Sequence, residues 1–170
     1  MQERRTARDR PLPLYTLEER RRRDASPWTL VQGILAPLQF LVFIVSVCLV
    51  LRYLASGEGL AAATASVVVK TLVLYGIMIS GSIWEKDVFG QYLFARPFFW
   101  EDMVSMVVLA LHTAYLGALL FGYLNPREQM FLALAAYATY VVNATQFVLK
   151  LRAARRASPR GAAHLLAVSE

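Results

Sequence analysis

Cysteine is almost missing from this chain: Cys48 is the only one in 170 residues. That excludes an internal disulfide and any cysteine-rich zinc or iron–sulfur site. Histidine is nearly as scarce, with His112 and His164 alone, so there is no His-x-x-x-His pair and no two-histidine haem within the apolar part of the chain. Glycine-rich phosphate loops and nucleophile elbows are absent as well. Charged residues make up only 18% of the chain against 57% hydrophobic, and they concentrate at the two ends and in one central stretch. What these absences leave is acid–base chemistry or binding, with no cofactor and no metal site of its own expected.

What is present is a membrane protein's composition. Crossing a hydrocarbon core takes ~20 predominantly apolar residues, and four runs meet that length: Pro27 to Tyr53, Leu60 to Ile83, Met103 to Leu124 and Met130 to Leu149. The first is too long for a signal-peptide core and has no small-residue cleavage site after it, so it is expected to stay as a span. Thr16 with Glu19 forms a capping box that starts a short helix carrying Arg20 to Arg23. The expected fold is all-α: an integral membrane four-helix bundle with a cytoplasmic N-terminal surface helix. Residues 1–26 form a basic arm and surface helix, 27–151 the four-span domain and 152–170 a flexible tail.

Basic residues cluster before the first run (Arg4, Arg5, Arg8, Arg10, Arg20 to Arg23) and after the last (Lys150, Arg152, Arg155, Arg156, Arg160). The positive-inside bias then puts both termini in the cytoplasm, and an even number of spans agrees. Trp28, Trp84 and Trp100 all fall at that same boundary, where amphipathic rings prefer to sit. The net charge of +6 is read as orientation and adhesion to anionic lipid, not as nucleic-acid binding, because no nucleic-acid motif accompanies it.

Several polar residues stand inside the apolar runs. Gln32, Gln39 and Ser46 recur every seven residues, so they share one helical face that looks inward. Lys70 lies about halfway along the second run, where a charge costs at least ~2.5 kcal/mol; it calls for Gln39, His112, a ligand group or water. Glu101, Ser105, Val108, His112 and Tyr115 follow at steps of three or four and make one stripe in the third run. Thr139, Asn143, Gln146 and Lys150 make another in the fourth. The plainer account of each is a polar contact between helices.

The densest chemistry is in residues 80–103, SGSIWEKDVFGQYLFARPFFWEDM, where charged residues sit between Trp84 and Trp100. Gly90 ends one helix there, and Arg96-Pro97 restarts the next with proline in its first turn. Candidate catalytic residues are Glu85, Asp87, Glu101, Asp102 and His112, the acidic ones as proton donors or their tuning partners through Lys86 and Arg96, the histidine as a neutral imidazole. Candidate substrate-binding residues are Trp84, Trp100, Gln39, Lys70, Tyr115 and Asn143. A salt-bridged loop cap would explain the same acidic cluster without chemistry.

The segments GSIWEKDVFGQYLFARPFFWEDM (81–103), PLYTLEERRRRD (13–24), GILAPLQFLVF (33–43) and LALHTAYLGALL (109–120) resemble the 3-vinyl (formerly 2-vinyl) bacteriochlorophyllide hydratase family, over roughly residues 11–152. The resemblance implies a membrane lyase of bacteriochlorophyll biosynthesis that adds water to the C3 vinyl group of a chlorophyllide-type Mg-tetrapyrrole, giving a 3-(1-hydroxyethyl) group. Its partners would be that pigment and membrane lipid, with room for contact with pathway enzymes. A non-catalytic tetrapyrrole carrier is the alternative, since a four-helix pocket with aromatic residues and one histidine serves either.

Overall fold

The computed structural model describes residues 14–156, with side chains through 154. The expected arm and tail therefore fall largely outside the described residues, at 1–13 and 157–170. Five helices follow one another: α1 (Leu17–Ala25), α2 (Pro27–Ser56), α3 (Leu60–Phe89), α4 (Phe99–Phe121) and α5 (Pro126–Arg156), with no strand among the described residues. The last four are long and apolar enough to cross a membrane. Helices of 30 residues, such as α2 and α3, are ~45 Å long, well beyond a hydrocarbon core of ~30 Å. Their ends protrude, and α3 runs six residues past its apolar stretch to take in Glu85, Lys86 and Asp87.

Local signals in the chain account for most of the boundaries. The capping box at Thr16 is formed: its hydroxyl accepts the Glu19 N–H at 3.2 Å, and the Glu19 carboxylate accepts the Thr16 N–H at 2.7 Å. Asn125 caps α5 by accepting the N–H groups of Arg127 and Glu128, and Glu128 accepts the Asn125 N–H in return. Ser26 precedes Pro27 as an N-cap, yet its hydroxyl makes no cap bond; it donates instead to Asp87 at 2.8 Å and ties the α1–α2 junction to the end of α3. Gly57, Gly90 and Gly122 close α2, α3 and α4 in the left-handed conformation. One expectation is corrected. Pro97 lies ahead of α4, in a turn closed by the Phe98 N–H on the Ala95 carbonyl, and the helix begins at Phe99.

The bundle consists of two antiparallel hairpins, α2 with α3 and α4 with α5, each packed far more extensively within itself than against the other. In the first hairpin Gln32 donates to Ser80 at 2.8 Å and Ser46 pairs with Ser66 at 2.8 Å. That register sets Gln39 level with Val73, within a turn of Lys70. Across the seam, Phe43 packs against Tyr137 and Tyr140, and Ser46 pairs with the Tyr137 hydroxyl at 2.5 Å. Polarity is inverted relative to a water-soluble bundle: Leu38, Phe40 and Leu41 are exposed, while Gln39 between them is buried. A lipid-facing exterior and a hydrogen-bonding interior are what a membrane demands.

Gly90 at φ 85° bears on stability, because a side chain in the left-handed region costs about 1–2 kcal/mol. Gly90→Ala is expected to lower the detergent-solubilised Tm, whereas Gly33→Ala, in open space within α2, is expected to leave it unchanged or raise it. Equal effects would show that the α3 stop is not set by Gly90.

Candidate functional site

Two groups of buried polar side chains stand out, one at the end of the bundle that carries the loop at 90–98 and one deep between the hairpins. At the loop end, the last turns of α3 bring in Glu85 and the first turn of α4 brings in Glu101 and Asp102, all three buried. The loop folds back over them. Asp102 accepts the Phe94 N–H at 2.8 Å and Glu85 accepts the Ala95 N–H at 3.2 Å. Phe94 has φ 61°, a conformation that costs a bulky residue ~1–3 kcal/mol and here is held by its bond to Asp102. The carboxyl groups of Glu85 and Asp102 lie within hydrogen-bonding reach of each other. A hydrogen bond between two carboxylates needs a proton between them, because like charges in contact out of water cannot both ionise.

Glu101 has a different fate. Lys150 of α5 donates to its carboxylate at 2.5 Å and also to the Pro97 carbonyl. Asn143 donates to the Glu101 backbone carbonyl at 2.8 Å and accepts from Ser105 at 3.2 Å. These bonds clamp the start of α4 and the turn before it onto α5. Lys150 was visible in the sequence on the polar stripe of the fourth run, but not as the partner of this carboxylate.

The other residues of the central stretch are dispersed. Asp87 is exposed and holds Ser26, away from the buried carboxylates. Lys86 donates to the Gly90 carbonyl at 3.0 Å, and Arg96 is exposed; neither joins an acidic partner as expected from the sequence. Trp84 is half-buried, donates its indole N–H to Thr29 at 3.0 Å and packs on Phe89 and Phe98. Trp100 is 71% exposed on the outer surface. The two tryptophans therefore do not bracket one pocket.

Deep in the bundle, Gln39 from α2, Lys70 from α3 and His112 and Tyr115 from α4 are fully or almost fully buried. Both polar ends of the Gln39 amide, the Lys70 ammonium, His112 Nε2 and the Tyr115 hydroxyl have no hydrogen-bond partner among the described residues; Thr64 lies beside Tyr115 without hydrogen-bonding geometry. Aromatic residues of α5 stand beside two of the four: Lys70 Nζ is 3.9 Å over the Tyr140 ring, and His112 packs on Tyr137 with ring centroids 5.8 Å apart. An orphaned buried polar group costs ~1–3 kcal/mol, so five such atoms together mark a place shaped for polar company. The tautomer of His112 follows from its other nitrogen. Nδ1 is 2.8 Å from the Val108 carbonyl, which can only accept, so Nδ1 carries the proton and the neutral ring presents a lone pair at Nε2. Among the described residues no cluster of three or more His, Cys, Asp or Glu could hold a metal ion. The arrangement thus offers two adjoining buried carboxyls at one level and, roughly 15 Å away along α4 between Asp102 and His112, a free imidazole lone pair among unpaired donors.

Comparison with known proteins extends this picture. Residues 15–153 match the family described as 2-vinyl bacteriochlorophyllide hydratase. The chain is 68% identical over 142 residues to a 2-vinyl bacteriochlorophyllide hydratase of Rhodobacter capsulatus, covering 84% of this chain and 82% of that protein. It is also 68% identical over 143 residues to one of Cereibacter sphaeroides, covering 84% and 88%. No solved structure matches.

The carboxyl pair makes a prediction for stability. Glu85→Gln keeps an acceptor for Ala95 and a donor toward Asp102, so its thermal unfolding is expected near that of the wild type. Glu85→Ala strands both partners and is expected to cost about 1–3 kcal/mol. An alanine variant as stable as the glutamine one would show that the loop is not held through this carboxyl.

Proposed function

The chain belongs to the 2-vinyl bacteriochlorophyllide hydratase family, and on that premise we propose that it is a membrane hydro-lyase that adds water across the C3 vinyl group of a Mg-tetrapyrrole. The observation that supports this reading most is the burial of Glu85 and Asp102 side by side under the 90–98 loop, which favours the protonated form of one of them. Hydration in the Markovnikov sense needs a proton at the terminal vinyl carbon first. The ring-proximal carbon then becomes a cation that the macrocycle delocalises, and water adds there. Glu85 or Asp102 supplies the proton, and the carboxylate left behind takes one from the attacking water, so the pair ends as it began. Glu101, neutralised by Lys150, serves as a fastening and not as the acid.

His112 suits the same reaction. With Nδ1–H donated to a backbone carbonyl, its Nε2 lone pair is oriented as an axial ligand's would be, and the substrate's Mg is the partner of matching chemistry. The same lone pair can instead accept a hydrogen from water. The two roles separate on substitution: His112→Ala weakens pigment binding and shifts the bound absorption spectrum if it ligates Mg, and lowers only turnover if it positions water.

We also propose that both termini, α1 and the 90–98 loop face the cytoplasm of a bacterial inner membrane. The support is the basic residues flanking the spans and the charged character of α1, none of whose residues is buried. Labelling of cysteines placed at 91–96 should succeed only from the cytoplasmic side; labelling from the periplasm would reverse the orientation.

The decisive assay is incubation of the purified protein with a 3-vinyl chlorophyllide-type pigment alone. The 3-(1-hydroxyethyl) product is expected without added nucleotide or metal, and Glu85→Gln is expected to slow it by ~10²–10⁴-fold, the usual worth of a general acid. Pigment bound and returned unchanged would favour the carrier. Near-normal turnover in both Glu85→Gln and Asp102→Asn would place the acid elsewhere.

A further inference from the structure

Lys70 is wholly buried, and its ammonium meets no acceptor among the described residues. The ion pairs of the described residues are Arg22 with Glu18, Arg23 with Asp24 and Lys150 with Glu101, so no carboxylate compensates it. Its titratable surroundings are His112, whose free nitrogen is also unpaired, and the tyrosines of α4 and α5. The face of the Tyr140 ring at 3.9 Å is its one favourable contact, and a cation over a ring offsets only part of the cost of burying a charge out of water. The same core holds two more unpaired donors, the Gln39 amide, within a helical turn of Lys70 by the α2–α3 register, and the Tyr115 hydroxyl, one turn from His112 on α4. A site rich in donors, positively charged and shielded from water is complementary to an anion with two oxygens.

We propose that Lys70, with Gln39 and Tyr115, forms the subsite for the ionised carboxylate side chain of the pigment, and that Lys70 is the residue by which the protein selects the free acid over its ester. This rests on the reading of the substrate given above and deepens it. On that assignment the carboxylate lies deep between the hairpins, on the side of the core that holds His112. A groove of about 310 Å³ opens between α2 and α5, walled by Phe40, Tyr140 and Ala144, and Tyr140 is the residue whose ring carries Lys70. At the outer end of that groove stands Arg152, the competing cation for the same carboxylate.

The test is binding, read by the shift in pigment absorption, of one 3-vinyl Mg-tetrapyrrole as its free acid and as its methyl ester. It uses the full chain in lipid nanodiscs as wild type, Lys70→Met, Lys70→Arg and Arg152→Ala. The wild type is expected to prefer the acid by on the order of tenfold or more, the worth of a hydrogen-bonded charge. Lys70→Met is expected to bind acid and ester alike, and Lys70→Arg and Arg152→Ala to keep the preference. No preference in the wild type, a preference that survives Lys70→Met, or one that disappears in Arg152→Ala instead would each overturn the assignment. So would a Lys70→Met protein that keeps the preference and hydrates both pigments more slowly to the same degree, since that describes a proton donor. Because binding is measured apart from turnover, acid preference without hydration would leave the subsite standing while removing the hydratase reading, and hydration without acid preference would do the reverse.

Discussion

An ionisable or strongly polar side chain inside hydrocarbon has to be answered by something, because neither water nor lipid will do it. Most of this bundle meets that demand internally. Gln32 is answered by Ser80, Ser46 by Ser66 and Tyr137, Asn143 by Ser105 and the Glu101 carbonyl, and Glu101 by Lys150. The bonds that satisfy these groups also join the helices, so helix packing and polar satisfaction are one set of contacts. Among the described residues the exceptions are Gln39, Lys70, His112 and Tyr115, together with the side-chain oxygen of Gln146 on α5. The first four are not strays at the edges but neighbours at the middle of a well-connected core, and that contrast singles them out as a site.

Much of this was legible in the sequence for the same physical reason. A polar residue in an apolar run is conspicuous, and helical spacing says which ones share a face. Gln39 with Ser46, and Glu101 with Ser105, His112 and Tyr115, are all buried on inward stripes. The four spans and the α1 and α5 caps were likewise readable, since caps and apolar length are local properties. The acidic cluster was harder. Glu85, Asp87, Glu101 and Asp102 look equivalent in a charged stretch, yet Asp87 faces outward to Ser26 while Glu85 and Asp102 are buried side by side. What separates them is the turn on which α3 stops and a loop that doubles back through a left-handed Phe94, and no residue-type signal marks that conformation for a phenylalanine. The tryptophans misled because boundary preference and pocket lining favour the same side chain. Lys150 was missed as a partner because α5 stays helical beyond its apolar run and so carries the lysine back over α4.

The two carboxyl environments show how position divides one residue type between tasks. Glu101 has a cation and a helix start to hold, and its charge is committed. Glu85 has another carboxyl and a backbone amide beside it and no cation, which favours its protonated form. Neither role could be assigned from the glutamate alone; each comes from the element that approaches it, α5 in one case and α4 with the loop in the other.

The division into two hairpins has a mechanical meaning. Each hairpin is internally fastened, whereas the seam between them is crossed by few polar bonds and a patch of aromatic rings. Gln39 and Lys70 belong to one side of that seam, and His112 and Tyr115 to the other. The protein therefore resembles a book more than a barrel: two stiff covers that can part along a spine without either one being bent. A planar guest is the shape such an object admits most easily, as a sheet slipped between pages. Closing on it would bring both halves of the binding set into place in a single motion.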